Sequence, residues 1–468
     1  MSAGLRIHLD RADSSSLTEQ ISRTIRGAIL EGRLRPGARL PSWQDLAAQL
    51  GVARGTVRAA YERLADELLV AASGPSGTHV TDHPPRPPAV AGQDATPLPA
   101  TRTALDAAGP LPFQMGVPAQ DGFPAKLWSR LLIRAIRASA AAPVRCPDPC
   151  GALELRTEIA GYLALARGIQ CGPGQIIITG GYRDGLDLAI RTLRVEGGAA
   201  WMEEPGYFVT RTGLTLAGMR PVPVVVDDQG LRVQDGIAIA PDAALAVVTA
   251  GQQAPLGVTL SSGRRHALLR WAIRAGGWVI EDDYLSELQL QGRAAPALAS
   301  MDHAGRVIYV GTFSKTMSPA LGLGFVVAPA PLAARFAKVA ACLAPAPQVA
   351  IQLAVAEFLR DGHYLRHLRR MKRLYAARRD ALHTALGSMP GVEAMAGLAV
   401  MLRLPPGTDD VALAREALTH GLAPAALSGW YATDAGRTPG LLLGVTNLVD
   451  AALPRVCEQL RALVAPLY

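Results

Sequence analysis

Four lysines stand against 43 arginines in this 468-residue chain, and Lys315 differs in setting from the other three. Lys126, Lys338 and Lys372 fall in polar stretches with helical spacing, whereas Lys315 follows the apolar run Val307-Ile-Tyr-Val-Gly-Thr312 through Phe313-Ser314. That run predicts a strand whose end would deliver the amine to the carboxyl edge of a parallel sheet. A lysine amine can shed its proton and condense with a carbonyl, which a guanidinium cannot do near neutral pH. Upstream, Trp278-Val-Ile-Glu-Asp-Asp283 predicts a second strand that turns acidic as it leaves the sheet. Asp282 and Tyr284 lie two apart and share a face if the stretch stays extended. A lysine, a carboxylate and a phenol suit a pyridine ring held as an imine. The carboxylate keeps the ring nitrogen protonated and the phenol hydrogen-bonds the ring oxygen.

These groups need a frame to hold them. From Phe113 onward, short apolar runs alternate with longer amphipathic stretches, the pattern of an α/β domain. Gly151–Gly168 reads as a helix, and Gln175–Thr179 as a strand that opens through Gly180-Gly181 into a helix near Tyr182. Such a glycine turn exposes backbone N–H groups to an anion, a natural phosphate seat. Glu203-Glu-Pro-Gly-Tyr207 ends another strand and places Tyr207 to stack on or edge a planar ring. The stretch from Leu256 to Glu281 reads as a further helix and strand.

The Asp282/Tyr284 pair followed by Thr312-Phe-Ser-Lys315 resembles the fold-type-I, pyridoxal-phosphate-dependent aminotransferases. That resemblance implies an internal aldimine at Lys315, Asp282 facing the pyridine nitrogen and Tyr284 facing the ring oxygen. It places Gly181, Tyr182, Thr312 and Ser314 around the phosphate. Departures accompany it. The family's phosphate-gripping arginine after the lysine is Gly322 here, and the tyrosine usually lent by a partner subunit is Cys146. The usual Gln-Gln opening the phosphate-side helix is Arg183-Asp184, so Arg183 is expected to supply the missing cation. His-Gln-Phe-Pro is replaced by Gln252-Gln-Ala-Pro255. No arginine for a substrate carboxylate lies in the terminal strand Gly440–Leu448; Arg437 is the nearest candidate, and Ser428–Tyr431 is expected to line the same pocket.

Residues 1–80 form a separate pattern. Leu17, Ile21, Ile25 and Ile29 have helical spacing within Leu17–Leu34, closed by Gly32 and Pro36-Gly37. Two short helices follow across the Gly51-Val52 turn, with Ser42 placed to cap the first, and Val70–Val80 reads as a hairpin wing. This block resembles the winged helix-turn-helix of the GntR bacterial regulators. The resemblance implies DNA contacts at Ser42, Gln44, Arg54, Thr56, Arg58, Gly77 and His79. Trp43-Gln44 stands where relatives have Ser-Arg, and Ser73 where they have an arginine at the start of the wing. Ten arginines against eight acidic residues in 1–80 make a thin electrostatic footprint, so affinity should depend on doubled contacts and on salt.

Between the blocks, residues 81–112 are rich in Pro, Ala, Thr and Asp, which predicts a semi-extended linker. Net charge is +8 and the pI about 9.5, which permits an anionic partner. Five scattered cysteines argue against a disulfide framework, and Cys146 with Cys150 lacks the histidine pair a metal site would want. With no signal-peptide pattern and no bilayer-length apolar run, a cytoplasmic protein without a membrane partner is expected. The basic face Arg366, Arg369, Arg370 and Arg373 reads as solvated or dimer-facing.

Both halves and the linker together resemble the MocR subgroup of GntR regulators. The expectation is an N-terminal winged helix-turn-helix (1–80), mostly α, joined to an α/β aminotransferase-like domain (113–468). It would be a homodimer that binds double-stranded operator DNA and senses pyridoxal 5'-phosphate, with a possible amine or amino-acid effector. The alternatives are a working aminotransferase and a regulator whose pocket no longer takes the cofactor.

Overall fold

The computed structural model describes residues 7–11, 13–72, 77–82, 110–142, 146–290, 295–343, 346, 348–387, 389–394 and 397–468. Two compact units result, Met1–Leu98 and Pro99–Tyr468. The expected linker lies outside the described residues except at its ends, 81–82 and 110–112.

In the first unit, helix α1 (Leu17–Leu30) buries Ile21, Ile25 and Ile29 against α3 (Arg54–Asp66). Its spacing ends one turn before Leu34 because Glu31 and Gly32 already form the terminating turn. Helix α2 (Trp43–Leu50) starts at Ser42, whose side chain accepts the Asp45 N–H, and stops at Gly51 in the left-handed region at φ 62°. Strands β1 (Val70–Ala72) and β2 (Thr78–Val80) pair antiparallel as the wing. Its tip, with Ser73, is outside the described residues.

The second unit is built on an eight-stranded sheet. In chain order its strands are β3 (Ile176–Thr179), β4 (Ala199–Glu204), β5 (Arg220–Asp227), β6 (Gly230–Leu231), β7 (Leu245–Val248), β8 (Trp278–Asp283), β9 (Val307–Thr312) and β10 (Gly324–Val327). They lie side by side in the order β3-β10-β9-β8-β7-β4-β5-β6. The sheet is mixed rather than purely parallel. Strand β10 runs against both neighbours, Gly324 pairing with Thr179 on one side and Thr312 on the other. Two-sided burial explains the unbroken apolar strands: Ile176, Ile177 and Ile178 are fully buried, as are Val279 and Ile280.

Helices α4 (Ala125–Ala141), α5 (Leu153–Ala166) and α6 (Tyr182–Leu193) precede or follow the first sheet strand. The C-terminal part adds a four-stranded antiparallel sheet of β11 (Val392–Ala394), β12 (Ala399–Arg403), β13 (Ala425–Ala426) and β14 (Gly440–Gly444), ordered β11-β12-β14-β13. Phe113, fully buried, bridges to Gly444, and Ala423 N–H donates to Pro112 O. The segment from residue 110 is thereby pinned to this small sheet.

Candidate functional site

The register puts the ends of β3, β8 and β9 and the start of β10 at one edge of the large sheet, Asp283 pairing with Gly311 and Gly324 with Thr179 and Thr312. A cavity of about 630 Å³ opens there. Lys315, Asp282, Tyr284, Tyr207, Gly181, Tyr182, Arg183, Thr312 and Ser314 all line it. Nine residues scattered over more than 130 positions of sequence thus meet in one space.

Lys315 Nζ donates to Gly116 O at 2.9 Å. Burial lowers its amine below the ordinary lysine value, the Asp282 charge opposing and the Arg183 charge adding to the effect. Asp282 is 6 % exposed, and its Oδ1 has no hydrogen-bond partner among the described residues. Burial raises its carboxyl well above the usual range, and the charges of Asp283 and Glu203 push the same way. A buried carboxylate oxygen left unpaired is costly unless something else meets it. Tyr284 is likewise raised by burial and by Asp282.

The strand end carrying Asp282 is held from behind. Arg167 and Asp283 form a buried ion pair at 2.7 Å, and Tyr309 OH donates to the same Asp283 oxygen at 2.8 Å. Neither Arg167 nor this tyrosine was expected from sequence, because they face the protein rather than the cavity. Two strands away, on β4, Glu203 accepts from Thr249 N and Oγ1, and burial pushes its carboxyl to about 7. Glu204 accepts from Ala432 N and Thr433 N, and Gly206 N donates to Trp430 O. These bonds fasten Tyr207 to the C-terminal part, where the Tyr207 and Trp430 ring centroids lie 5.9 Å apart.

At the other end, Gly181 adopts φ 123° and leads into α6 with no side chain capping its first turn. Its free N–H groups therefore point to whatever sits beyond. Arg183 lies on this turn, and its charge offsets part of the rise that burial imposes on the Tyr207 phenol. Gly322 stands against the same cradle, a Cβ there coming 4.0 Å from Gly180 O. The donor set fits a phosphorylated pyridine aldehyde: an amine, an unpaired acid, a phenol and an anion seat share one cavity of suitable size.

Arg437 departs from expectation. It is exposed, bonds Asp434 at 3.0 Å and does not line the cavity. The cavity meets the far end of β14, at Thr446, whereas Arg437 precedes the near end. Of Ser428–Tyr431, Trp430 reaches the lining, while Ser428 N–H is taken by the buried Asp410. Cys146 is exposed, as are Arg366, Arg369, Arg370 and Arg373 on the helix His363–Leu386.

In the first unit, Arg54 and Arg58 project from α3 into solvent, and Thr56 is half-buried. Arg58 is engaged by Glu62 at 2.9 Å, leaving Arg54 the freer of the two. Ser42 and Gln44 are exposed at the start of α2. Gly77 and His79 lie in the wing, where the Arg39 guanidinium packs beside Gly77 and Arg39 bridges to His79. Arg39 was not anticipated; it is brought to the wing by that bridge, 40 residues along the chain.

Comparison with known proteins agrees with both units. Residues 128–437 match the model for aminotransferase class I and II, and residues 17–80 that for bacterial regulatory proteins of the gntR family. The probable rhizopine catabolism regulatory protein MocR of Rhizobium meliloti is 37 % identical, over 79 % of this chain and 77 % of that protein. The pyridoxine biosynthesis transcriptional regulator PdxR of Corynebacterium glutamicum is 33 % identical, over 84 % of each. Among solved structures, the α-aminoadipate aminotransferase LysN of Thermus thermophilus, complexed with N-(5'-phosphopyridoxyl)-L-leucine, superposes with a TM-score of 0.68 and 25 % identity. It covers 76 % of this chain and 92 % of that one.

Proposed function

Because the chain belongs to the MocR-type branch of the GntR bacterial regulators, we propose that it binds operator DNA as a homodimer and senses pyridoxal 5'-phosphate at Lys315. The observation that carries the sensor reading is a lysine amine lowered by burial, sharing a cavity with a buried acid whose oxygen has no partner. The LysN complex, which holds a phosphopyridoxyl group, and the name of PdxR support it.

When bound, the cofactor supplies an aldehyde that condenses reversibly with primary amines. Lys315 is the chain's amine for that bond, and its lowered proton affinity leaves more of it neutral and nucleophilic near pH 7. Asp282 would meet the ring nitrogen and Tyr284 the ring oxygen. Tyr207 would lie along the ring. Gly181, Tyr182, Arg183, Thr312 and Ser314 would hold the phosphate, with Arg183 supplying the cation that Gly322 lacks. Asp283, fixed by Arg167, keeps the strand end from swinging.

Occupancy of this cavity is coupled to operator affinity by linkage: a ligand that favours one arrangement of the dimer changes the spacing of its DNA-binding domains, and DNA changes ligand affinity equally. Arg54, Thr56 and Arg58 on α3, Ser42 and Gln44 on α2, and Gly77 and His79 in the wing are the proposed DNA contacts. The test is the visible absorption of the purified protein titrated with pyridoxal 5'-phosphate, beside Lys315→Ala, followed by operator binding with and without cofactor. A band in the wild type alone, with changed operator affinity, is expected. A band absent from both proteins overturns the sensor reading and leaves only the DNA-binding half.

The aminotransferase fold favours one second reading, a working transaminase. Turnover of an amino donor by the loaded protein would establish it.

A further inference from the structure

We infer that the effector taken beside the cofactor is a primary amine with an apolar body and no carboxylate, rather than an amino acid. This rests on the cofactor reading above and concerns the half of the cavity that the cofactor does not need.

Part of the lining is apolar. Met115, Leu398, Ala399, Pro424, Ala425 and Trp430 belong to it. Ala399 and Trp430 belong to a hydrophobic cluster that also buries Ala254, Met401, Leu427 and Leu442, with Met115, Tyr207 and Ala425 packed against it. Its aromatic edge is compact: Trp430 lies 5.9 Å from the Tyr207 ring and 6.2 Å from the Phe208 ring. An apolar group placed there leaves water for a surface of its own kind.

Among the described residues that line the cavity, none offers a second carboxylate a cation of its own. Asp282 is in the cavity, and Glu203 and Glu204 sit buried on the strand that leads to Tyr207. Among the described lining residues, the cations are Arg183, on the turn of the phosphate seat, and Lys315 itself. A carboxylate there would be desolvated, with the neutral polar groups of Trp430 and Gln252 rather than a cation among the lining side chains. An uncharged substituent meets no such cost.

The amine end needs no new group. An incoming R–NH₂ would take the bond to the cofactor carbon that Lys315 would give up, its two protons passing to the Lys315 nitrogen. Nothing would be oxidised or reduced, and Lys315 would be left as a free amine.

The test uses the full-length, cofactor-loaded protein and a pair of ligands differing in one group: 2-phenylethylamine and L-phenylalanine. Each is titrated while the visible band is followed, with Lys315→Ala and free pyridoxal 5'-phosphate as backgrounds for reaction off the protein. The band should respond to the amine at a concentration lower by about tenfold or more. Equal response, or a preference for L-phenylalanine, overturns this inference and leaves the cofactor reading standing. Absence of any Lys315-dependent band before ligand is added overturns both.

Discussion

Lys315 Nζ and Gly116 O are 2.9 Å apart across 199 residues of chain, so the amine is aimed by a backbone carbonyl rather than by an acid. Gly116 holds φ 81°, and a Cβ there would stand 3.0 Å from Nζ. Gly116→Ala should cost about 1–2 kcal/mol from the left-handed backbone and displace the amine. The expected outcome is a lower unfolding midpoint for the second unit and weaker cofactor binding, measured by denaturation and by titration of the visible band. Unchanged affinity would show that the carbonyl does not aim the lysine.

Arg183→Ala should weaken binding of pyridoxal 5'-phosphate by roughly ten- to a hundredfold, the worth of a charge-assisted hydrogen bond. Band titration reads it directly. Arg183→Lys should recover part of the loss, since it restores the charge and not the planar fork. If Arg183→Ala binds as the wild type does, the phosphate is held by backbone and hydroxyls alone.

Breaking the buried Arg167–Asp283 pair from one side strands the other charge, at about 3–5 kcal/mol. Arg167→Met should therefore lower the stability of the second unit by that order, measured by denaturation of the full-length protein beside the wild type. Equal stability of mutant and wild type would mean the pair contributes nothing net.

Glu203 gives a pH signature. Its carboxyl, raised by burial from 4.5 to about 7, binds its proton more tightly folded than unfolded. The folded state therefore loses stability as pH rises from about 4.5 to 7 and then levels off. Glu203→Gln removes that component, so the difference in unfolding free energy between wild type and variant should drift by about 3 kcal/mol across the window. A flat difference would place Glu203 in an ordinary environment.

On the DNA side, Arg54 is exposed and forms no ion pair among the described residues, unlike Arg58, which Glu62 engages at 2.9 Å. Arg54→Ala should weaken operator binding and reduce the salt slope by about one. Gel-shift titrations at two salt concentrations measure both. An unchanged slope would remove Arg54 from the phosphate contacts.

Much of this was legible in the sequence because strand ends announce themselves. The apolar run before Lys315 and the acidic exit at Asp282 are local signals, and so are the Ser42 cap and the Gly51 stop. Strand direction was not legible: Gly324–Val327 is four apolar residues that read alike both ways, and only its pairing with β3 and β9 makes it antiparallel. Gly116 left no trace because a carbonyl carries no side-chain signature. Arg437 misled because nearness along the chain put it at the wrong end of its strand. Arg39 reached the wing through a bridge too distant for any pattern to show.

The cavity lining runs from Gln114 to Thr446, whereas the winged helix is complete by residue 82. A ribosome adding about 5–20 residues per second takes on the order of 20–70 s to cover that distance. For that interval each nascent chain presents a finished DNA-binding fold and no pocket. The half proposed to grip the operator is therefore born before the half proposed to govern it.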